Sequence, residues 1–112
     1  MVLFFFISVF VLSVASGQSW GFYDFAQIQN LNFKHDHGGS GRYFYVESMG
    51  GGVCLLDYDN DGDLDIYFTQ GAPLPGWDKN IVLENKLFKN DKTTWVDVTN
   101  KAGVGDKNYS MG

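Results

Sequence analysis

The pattern of hydrophobic and polar positions after residue 20 predicts short β-strands joined by tight turns, because periodic runs of good helix formers are scarce there. Apolar and strand-forming residues cluster in four short stretches, which are separated by segments rich in Gly, Asn, Asp or Pro. Four strands in succession, joined by short loops, predict one antiparallel meander in an all-β fold. The predicted strands are Val53–Leu56, Leu64–Gln70, Lys86–Lys89 and Thr94–Thr99.

The first of these stretches, Val53–Leu56, is apolar at every position, which favours a strand buried on both faces. It contains Cys54, the single cysteine of the chain, so no disulfide can form within the chain. Because free cysteine is among the most buried residue types, we expect Cys54 to be buried. Two prolines make residues 72–78 a loop, and residues 90–92 are predicted to form a turn.

The N-terminal residues 2–17 form an uncharged apolar run that ends in small residues before Gln18. This length is short for a membrane span and typical of the apolar core of a secretory signal peptide, with Ala15 and Gly17 at the small positions before cleavage. We therefore predict a signal peptide at 1–17, a mature chain of about 95 residues, and secretion. An uncleaved membrane anchor and a core strand or helix remain alternatives.

Negative charge is concentrated in one short segment of the chain. The formal net charge is −5, from 13 acidic and 8 basic residues, and five of the acidic residues lie within nine positions. Without those five, acidic and basic residues balance, so the basic surface that binds nucleic acid is not expected. The five residues are Asp57, Asp59, Asp61, Asp63 and Asp65.

These alternating aspartates suit Ca²⁺, a hard cation that takes six to eight oxygen ligands at about 2.3–2.6 Å. Gly62 permits a sharp turn, and Asn60 tolerates left-handed geometry. Repulsion among the carboxylates should leave the loop poorly ordered without calcium, so that binding couples to strand pairing. A plain acidic turn is the alternative. The expected ligands are the side chains of Asp57, Asp59, Asp61 and Asp65 and the backbone carbonyl of Asp63.

The spacing also matches the start of an EF-hand, whose loop requires a bidentate Glu at its twelfth position. Counted from Asp57, that position is Phe68, and the flanking residues favour strands over helices. The sequence therefore excludes an EF-hand.

The block ESMGGGVCLLDYDNDGDLDIY at residues 47–67 resembles the FG-GAP or VCBS repeat, and more narrowly the first repeat of the cartilage acidic protein and ASPIC/UnbV group. Residues 86–105 are similar to that group's LFxN…FxDVTxxAGVG pattern, and residues 32–41 to the stretch ahead of its glycines. The resemblance implies a β-propeller of about seven blades, calcium loops between the first two strands of several blades, secretion, and adhesion or matrix contact. It implies the same five aspartate ligands.

On this resemblance the chain divides into four segments, of which one is a four-stranded propeller blade and two are partial flanking units. Residues 22–33 would supply a ring-closing strand, and the remaining blades are expected downstream. The segments are a signal peptide at 1–17, a strand and loop segment at 18–46, a repeat blade with its calcium loop at 47–99, and a truncated start of the next repeat at 100–112.

A short motif that occurs twice in the chain supports a repeat. Ser48-Met49-Gly50 recurs 62 residues later as Ser110-Met111-Gly112, and Trp20–Phe33 loosely parallels Trp95–Val104. Spacing of this length points to blades or stacked units, which cannot bury their faces alone.

Other candidate sites are weaker. His35-Asp36-His37 contains metal-ligating residue types, but no further ligand is evident, which favours a solvated loop. Asn108-Tyr109-Ser110 is a glycosylation sequon. Sugar stacking on Trp20, Trp77 and Trp95 is an alternative to their burial; Trp95 is expected in the core and Trp77 at the surface.

No nucleophile–base motif or phosphate-binding loop is present, so we predict a protein that is not an enzyme. The expected function is that of a secreted calcium-binding repeat segment in extracellular binding or adhesion, with a protein or glycan ligand and no membrane contact after signal removal. The alternatives are a carbohydrate-binding module and a non-catalytic repeat region of a larger secreted enzyme.

Overall fold

The computed structural model describes residues 21–112 and contains one four-stranded antiparallel sheet with little helix. The strands are neighbours in chain order, which confirms the predicted meander. Each predicted strand is found at its position, and three of the four differ at their ends. The elements are a 3₁₀ helix at Tyr45–Ser48, β1 at Val53–Leu56, β2 at Asp65–Phe68, β3 at Lys86–Asn90, β4 at Trp95–Asp97 and α1 at Thr99–Ala102.

The expected signal peptide at 1–17 lies outside the described residues. Within residues 21–112, no helix has both the length and the apolar character that a bilayer crossing requires.

β4 ends earlier than the sequence predicts because the Asp97 side chain redirects the backbone. Its Oδ1 accepts a hydrogen bond from the Thr99 backbone N–H at 3.0 Å, and α1 begins at that residue. The Thr99 hydroxyl is fully buried and accepts the Leu87 backbone N–H of β3 at 3.0 Å. A predicted strand residue therefore serves as a link between α1 and the sheet.

The apolar core is small and centred on β3. Leu83, Leu87, Phe88 and Val98 are its buried hydrophobic residues among those described. Phe68 lies edge-on to Phe88 with 6.1 Å between ring centroids and stacks on Phe33 at 4.4 Å. This aromatic row joins the N-terminal segment to the sheet.

The prediction that Val53–Leu56 is buried on both faces is wrong. Val53 is 64% exposed and Leu55 is 59% exposed. Cys54 is exposed as well, which corrects its predicted burial. The physical reason is position: β1 is an edge strand that pairs only with β2, and its side chains have no layer packed over them within the described residues.

Residues 22–33, which the resemblance assigns to a ring-closing strand of a complete propeller, contain no strand in this chain, and that assignment stays a prediction. Residues 26–30 form a turn instead. The segment nevertheless docks on the sheet, because the Gln29 carbonyl accepts the Trp95 backbone N–H at 2.8 Å and its Oε1 accepts the Trp95 indole N–H at 3.2 Å. Trp95, expected in the core, is half-buried.

A buried amide network ties both flanking segments to the sheet. Gln70 and Asn85 are almost fully buried, and the Asn85 Oδ1 accepts the Gln70 backbone N–H at 2.7 Å. The Gln70 side chain donates to the Lys34 carbonyl and accepts the Asp36 N–H. The Asn85 amide donates to the Ser110 hydroxyl at 2.9 Å, so residues near both ends of the described chain meet at one point.

Candidate metal centre

The loop between β1 and β2 is shaped by its own carboxylates. The two Asp57 oxygens accept the backbone N–H groups of Asp61 at 3.0 Å and Gly62 at 2.9 Å. Asn60 and Gly62 have positive φ angles of 61° and 88°, as the sequence predicts for a residue that tolerates left-handed geometry and a glycine at a sharp turn. Asp61 Oδ1 accepts the Asp63 N–H at 3.0 Å and tightens the second half of the turn.

This folding brings three of the five predicted ligands together. One carboxylate oxygen from each of Asp57, Asp59 and Asp61 lies within 4.8 Å of the other two, and all three residues are exposed. Oxygen atoms at this separation can ligate one cation, and a purely carboxylate donor set suits a hard divalent ion. The loop is thus a candidate metal centre open to solvent.

A lysine from the neighbouring strand reaches the same carboxylates. Lys89 lies on β3, and its ammonium donates hydrogen bonds to Asp59 Oδ2 and, at 2.9 Å, to Asp61 Oδ2. The hydrogen bond from Lys89 lowers the pKa of Asp61, with a further contribution from the Asp63 backbone N–H. The bonds to Asp59 and Asp61 raise the pKa of Lys89. The cluster therefore contacts a cationic group, and the charge of that group offsets part of the repulsion among the carboxylates.

Sequence reasoning missed Lys89. It lies 30 positions from Asp59, and the sequence pattern predicts only that it belongs to a strand. The signal that finds it is the register between β2 and β3, in which Ile66 is opposite Phe88. This register brings the residue after Phe88 opposite Asp65, the first residue of β2, where the carboxylate loop ends.

Asp65 occupies a different environment from the cluster. It is fully buried, and its two oxygens accept the backbone N–H groups of Tyr58 and Asn90, each at 2.8 Å. Through these bonds Asp65, the first residue of β2, joins the start of the loop to the last residue of β3. Among the described residues the three-carboxylate group excludes Asp65, whose assignment as a ligand stays a prediction.

Asp63 likewise lies outside the three-carboxylate group among the described residues. Its side chain is 32% exposed and lies 3.9 Å from the exposed Lys92 ammonium at the β3–β4 turn. The carbonyl contribution expected from Asp63 stays a prediction.

The His35-Asp36-His37 segment is less solvated than the sequence predicts. Both ring nitrogens of His35 are buried without a hydrogen-bond partner in the described chain. Asp36 pairs with Lys79 at 2.8 Å, and His37 Nδ1 accepts the Gly39 N–H at 3.0 Å. Since Asp36 and His37 are engaged elsewhere, the three residues do not form a metal site together.

The remaining candidate positions are separate from the carboxylate loop. Trp77, expected at the surface, is half-buried with the Lys79 ammonium 4.7 Å from its ring centroid. Asn108 of the sequon is exposed, and its amide donates to Asp106 at 2.8 Å. Trp20 lies outside the described residues.

No protein-family model, curated protein or solved structure matches this chain. The function is therefore proposed from the geometry of the loop and from the residues that form it.

Proposed function

We propose that this chain is a calcium-binding repeat segment of the FG-GAP or VCBS type, secreted and acting in extracellular binding or adhesion, with calcium in a structural role. The observation that carries the proposal is the convergence of Asp57, Asp59 and Asp61 within 4.8 Å of one another, in a loop that joins two antiparallel strands. The Lys89 ammonium supports the proposal, because it is a cation that contacts two of these three carboxylates.

Three side chains would hold the ion, and each belongs to a different part of the loop. Asp57 follows β1 directly, Asp59 precedes the left-handed Asn60, and Asp61 precedes Gly62. Calcium would supply positive charge that cancels the repulsion among these carboxylates. Backbone carbonyls and water complete such sites in proteins. The expected result is a stiffer connection between β1 and β2.

The blade interpretation has support from the meander and from the exposed edge. One four-stranded antiparallel meander is the building unit of β-propellers. The apolar side chains exposed on β1 are of the kind that a neighbouring repeat would cover, since single repeats cannot bury all of their apolar surface. We propose a blade of a larger propeller on these grounds, with an extracellular protein or glycan as its ligand.

Calorimetric titration of the full chain with calcium tests the metal site. We expect a dissociation constant of about 10⁻⁴–10⁻³ M, the range of extracellular calcium modules. The Asp61→Asn variant should bind at least about tenfold more weakly, because it loses one of three carboxylates in the cluster. Exposed Asp91, in the β3–β4 turn, provides a matched control as Asp91→Asn. Folded protein that gives no calcium heat at millimolar metal would refute the site.

A further inference from the structure

We infer that Lys89 is an internal competitor of the metal ion: the lysine ammonium and Ca²⁺ bind the same oxygens of Asp59 and Asp61 in turn, so calcium binding releases the lysine. This inference rests on the proposed calcium site and concerns how its affinity is set.

The geometry makes the two cations mutually exclusive. The Lys89 ammonium is within hydrogen-bonding range of Asp59 Oδ2 and Asp61 Oδ2, and Asp57 completes the group of converging carboxylates. A calcium ion needs oxygens at about 2.3–2.6 Å. An ion that bound the three carboxylates would lie next to the ammonium, and two positive charges at such a separation repel strongly. One of them has to leave.

The strand that carries Lys89 is fixed, so the exchange involves only its side chain. Lys89 pairs with Val96 of β4, and the next residue, Asn90, donates its backbone N–H to buried Asp65. The four-carbon stem is flexible. A released ammonium therefore remains close to the loop and competes at a high effective concentration. Such a tethered competitor weakens the apparent calcium affinity without removing any ligand.

The same contact would hold the loop in place whenever no calcium is bound. Lys89 links the β1–β2 loop to β3 through two carboxylates, and its positive charge offsets the repulsion that would otherwise open the turn. The lysine thus replaces the metal as the link between loop and sheet when calcium is low. Calcium binding then replaces the contact between Lys89 and the loop with a contact between the metal ion and the loop.

The test compares calcium titrations of the full chain with those of Lys89→Met, which keeps an apolar stem of similar length and removes the ammonium. We expect the calcium dissociation constant to fall at least about tenfold. Lys92→Met is the matched control, since it removes a nearby positive charge whose side chain is 81% exposed and 3.9 Å from Asp63. That control should change affinity by no more than about twofold, as expected for a screened surface charge.

A second measurement on the unaltered protein keeps the inference testable should Lys89→Met not fold. Amine acylation followed by peptide mass spectrometry should show that saturating calcium increases labelling of Lys89 and leaves labelling of Lys92 unchanged. Equal or weaker affinity in Lys89→Met, an equal gain in Lys92→Met, or Lys89 labelling that does not respond to calcium would overturn the inference while the calcium site stands. Absence of calcium binding in both wild type and Lys89→Met would refute the proposed function and the inference with it.

Discussion

The buried carboxylate of Asp65 accepts the backbone N–H of Asn90 at 2.8 Å. Asp65 is the first residue of β2 and Asn90 the last residue of β3, so this bond closes the sheet at the end where the carboxylate loop lies. The other Asp65 oxygen accepts the Tyr58 N–H from the loop. The Asp65 side chain therefore connects the loop to both β2 and β3.

Replacing this side chain should destabilise the fold independently of calcium. In Asp65→Asn the amide group would face one of the two backbone donors and leave a half-buried N–H without an acceptor, at a cost of about 1–3 kcal/mol. Urea unfolding in the presence of a chelator measures the change. Asp78→Asn at an exposed loop position is the control and should shift stability by less than about 0.5 kcal/mol. Equal midpoints for the two variants would contradict the role given to Asp65.

Gly62 should resist substitution because of its backbone conformation alone. Its φ is +88°, and a Cβ at this position would meet no heavy atom within 4 Å. Gly62→Ala should therefore lose about 1–2 kcal/mol through left-handed strain. Gly50→Ala is the matched control, since it also has open space but no positive φ. Unfolding free energies by urea denaturation compare the two, and a Gly62→Ala protein as stable as Gly50→Ala would contradict the argument.

Alanine variants of Asp57 and Asp59 should differ in stability in the absence of calcium, even though both residues are expected ligands. Each alanine variant should lose calcium affinity by at least about tenfold. Only Asp57→Ala removes the acceptor for the Asp61 and Gly62 backbone N–H groups, so it should also cost about 1 kcal/mol of stability in chelator. Asp59→Ala should leave the stability in chelator nearly unchanged, because it removes one exposed ion pair. Calorimetry and urea unfolding separate the two effects.

The Asp97 carboxylate should make the stability of the fold depend on pH in the acidic range. Burial by itself raises the pKa of Asp97, but hydrogen bonds from Thr99 and the ion pair with Lys86 outweigh it and bring the pKa below its ordinary value of 3.8. A carboxyl with a lowered folded-state pKa stabilises the fold above about pH 4, and the contribution disappears as pH falls through the folded-state pKa.

The comparison is between wild type and Asp97→Asn, unfolded with urea at pH 7 and at pH 2. We expect a difference of about 0.5–1 kcal/mol at pH 7, discounted because the side chain is 46% exposed. The difference in unfolding free energy should be smaller at pH 2, where the carboxyl is protonated. A difference of equal size at both pH values would show that the ionised carboxylate does not contribute.

Much of the sheet follows from local sequence signals. β1 is predicted to the residue because an uninterrupted apolar run ends at Asp57, and the left-handed positions of the loop follow from Asn60 and Gly62. These features depend on residues that are adjacent in the chain. The end of β4 was missed because the Asp97 side chain competes with strand pairing for the backbone.

The features that the sequence did not predict depend on contacts between distant residues. Composition alone does not tell which face of an apolar strand will be covered, so the exposure of Cys54 was not foreseen. The ion pairs of Lys89 depend on strand register, which is a pairing between residues far apart in the chain and is not specified by the pattern of one strand alone. The same applies to Asp65, whose partners lie 7 and 25 residues away.

The position of β1 at the edge decides where another chain can extend the sheet. β2 and β3 each have a neighbour on both sides. β4 is three residues long, and its first N–H is already bonded to Gln29. A strand added along β1 would run beside Val53–Leu56 and end next to Asp57. Such a strand would therefore contact the backbone at the point where the carboxylate loop begins.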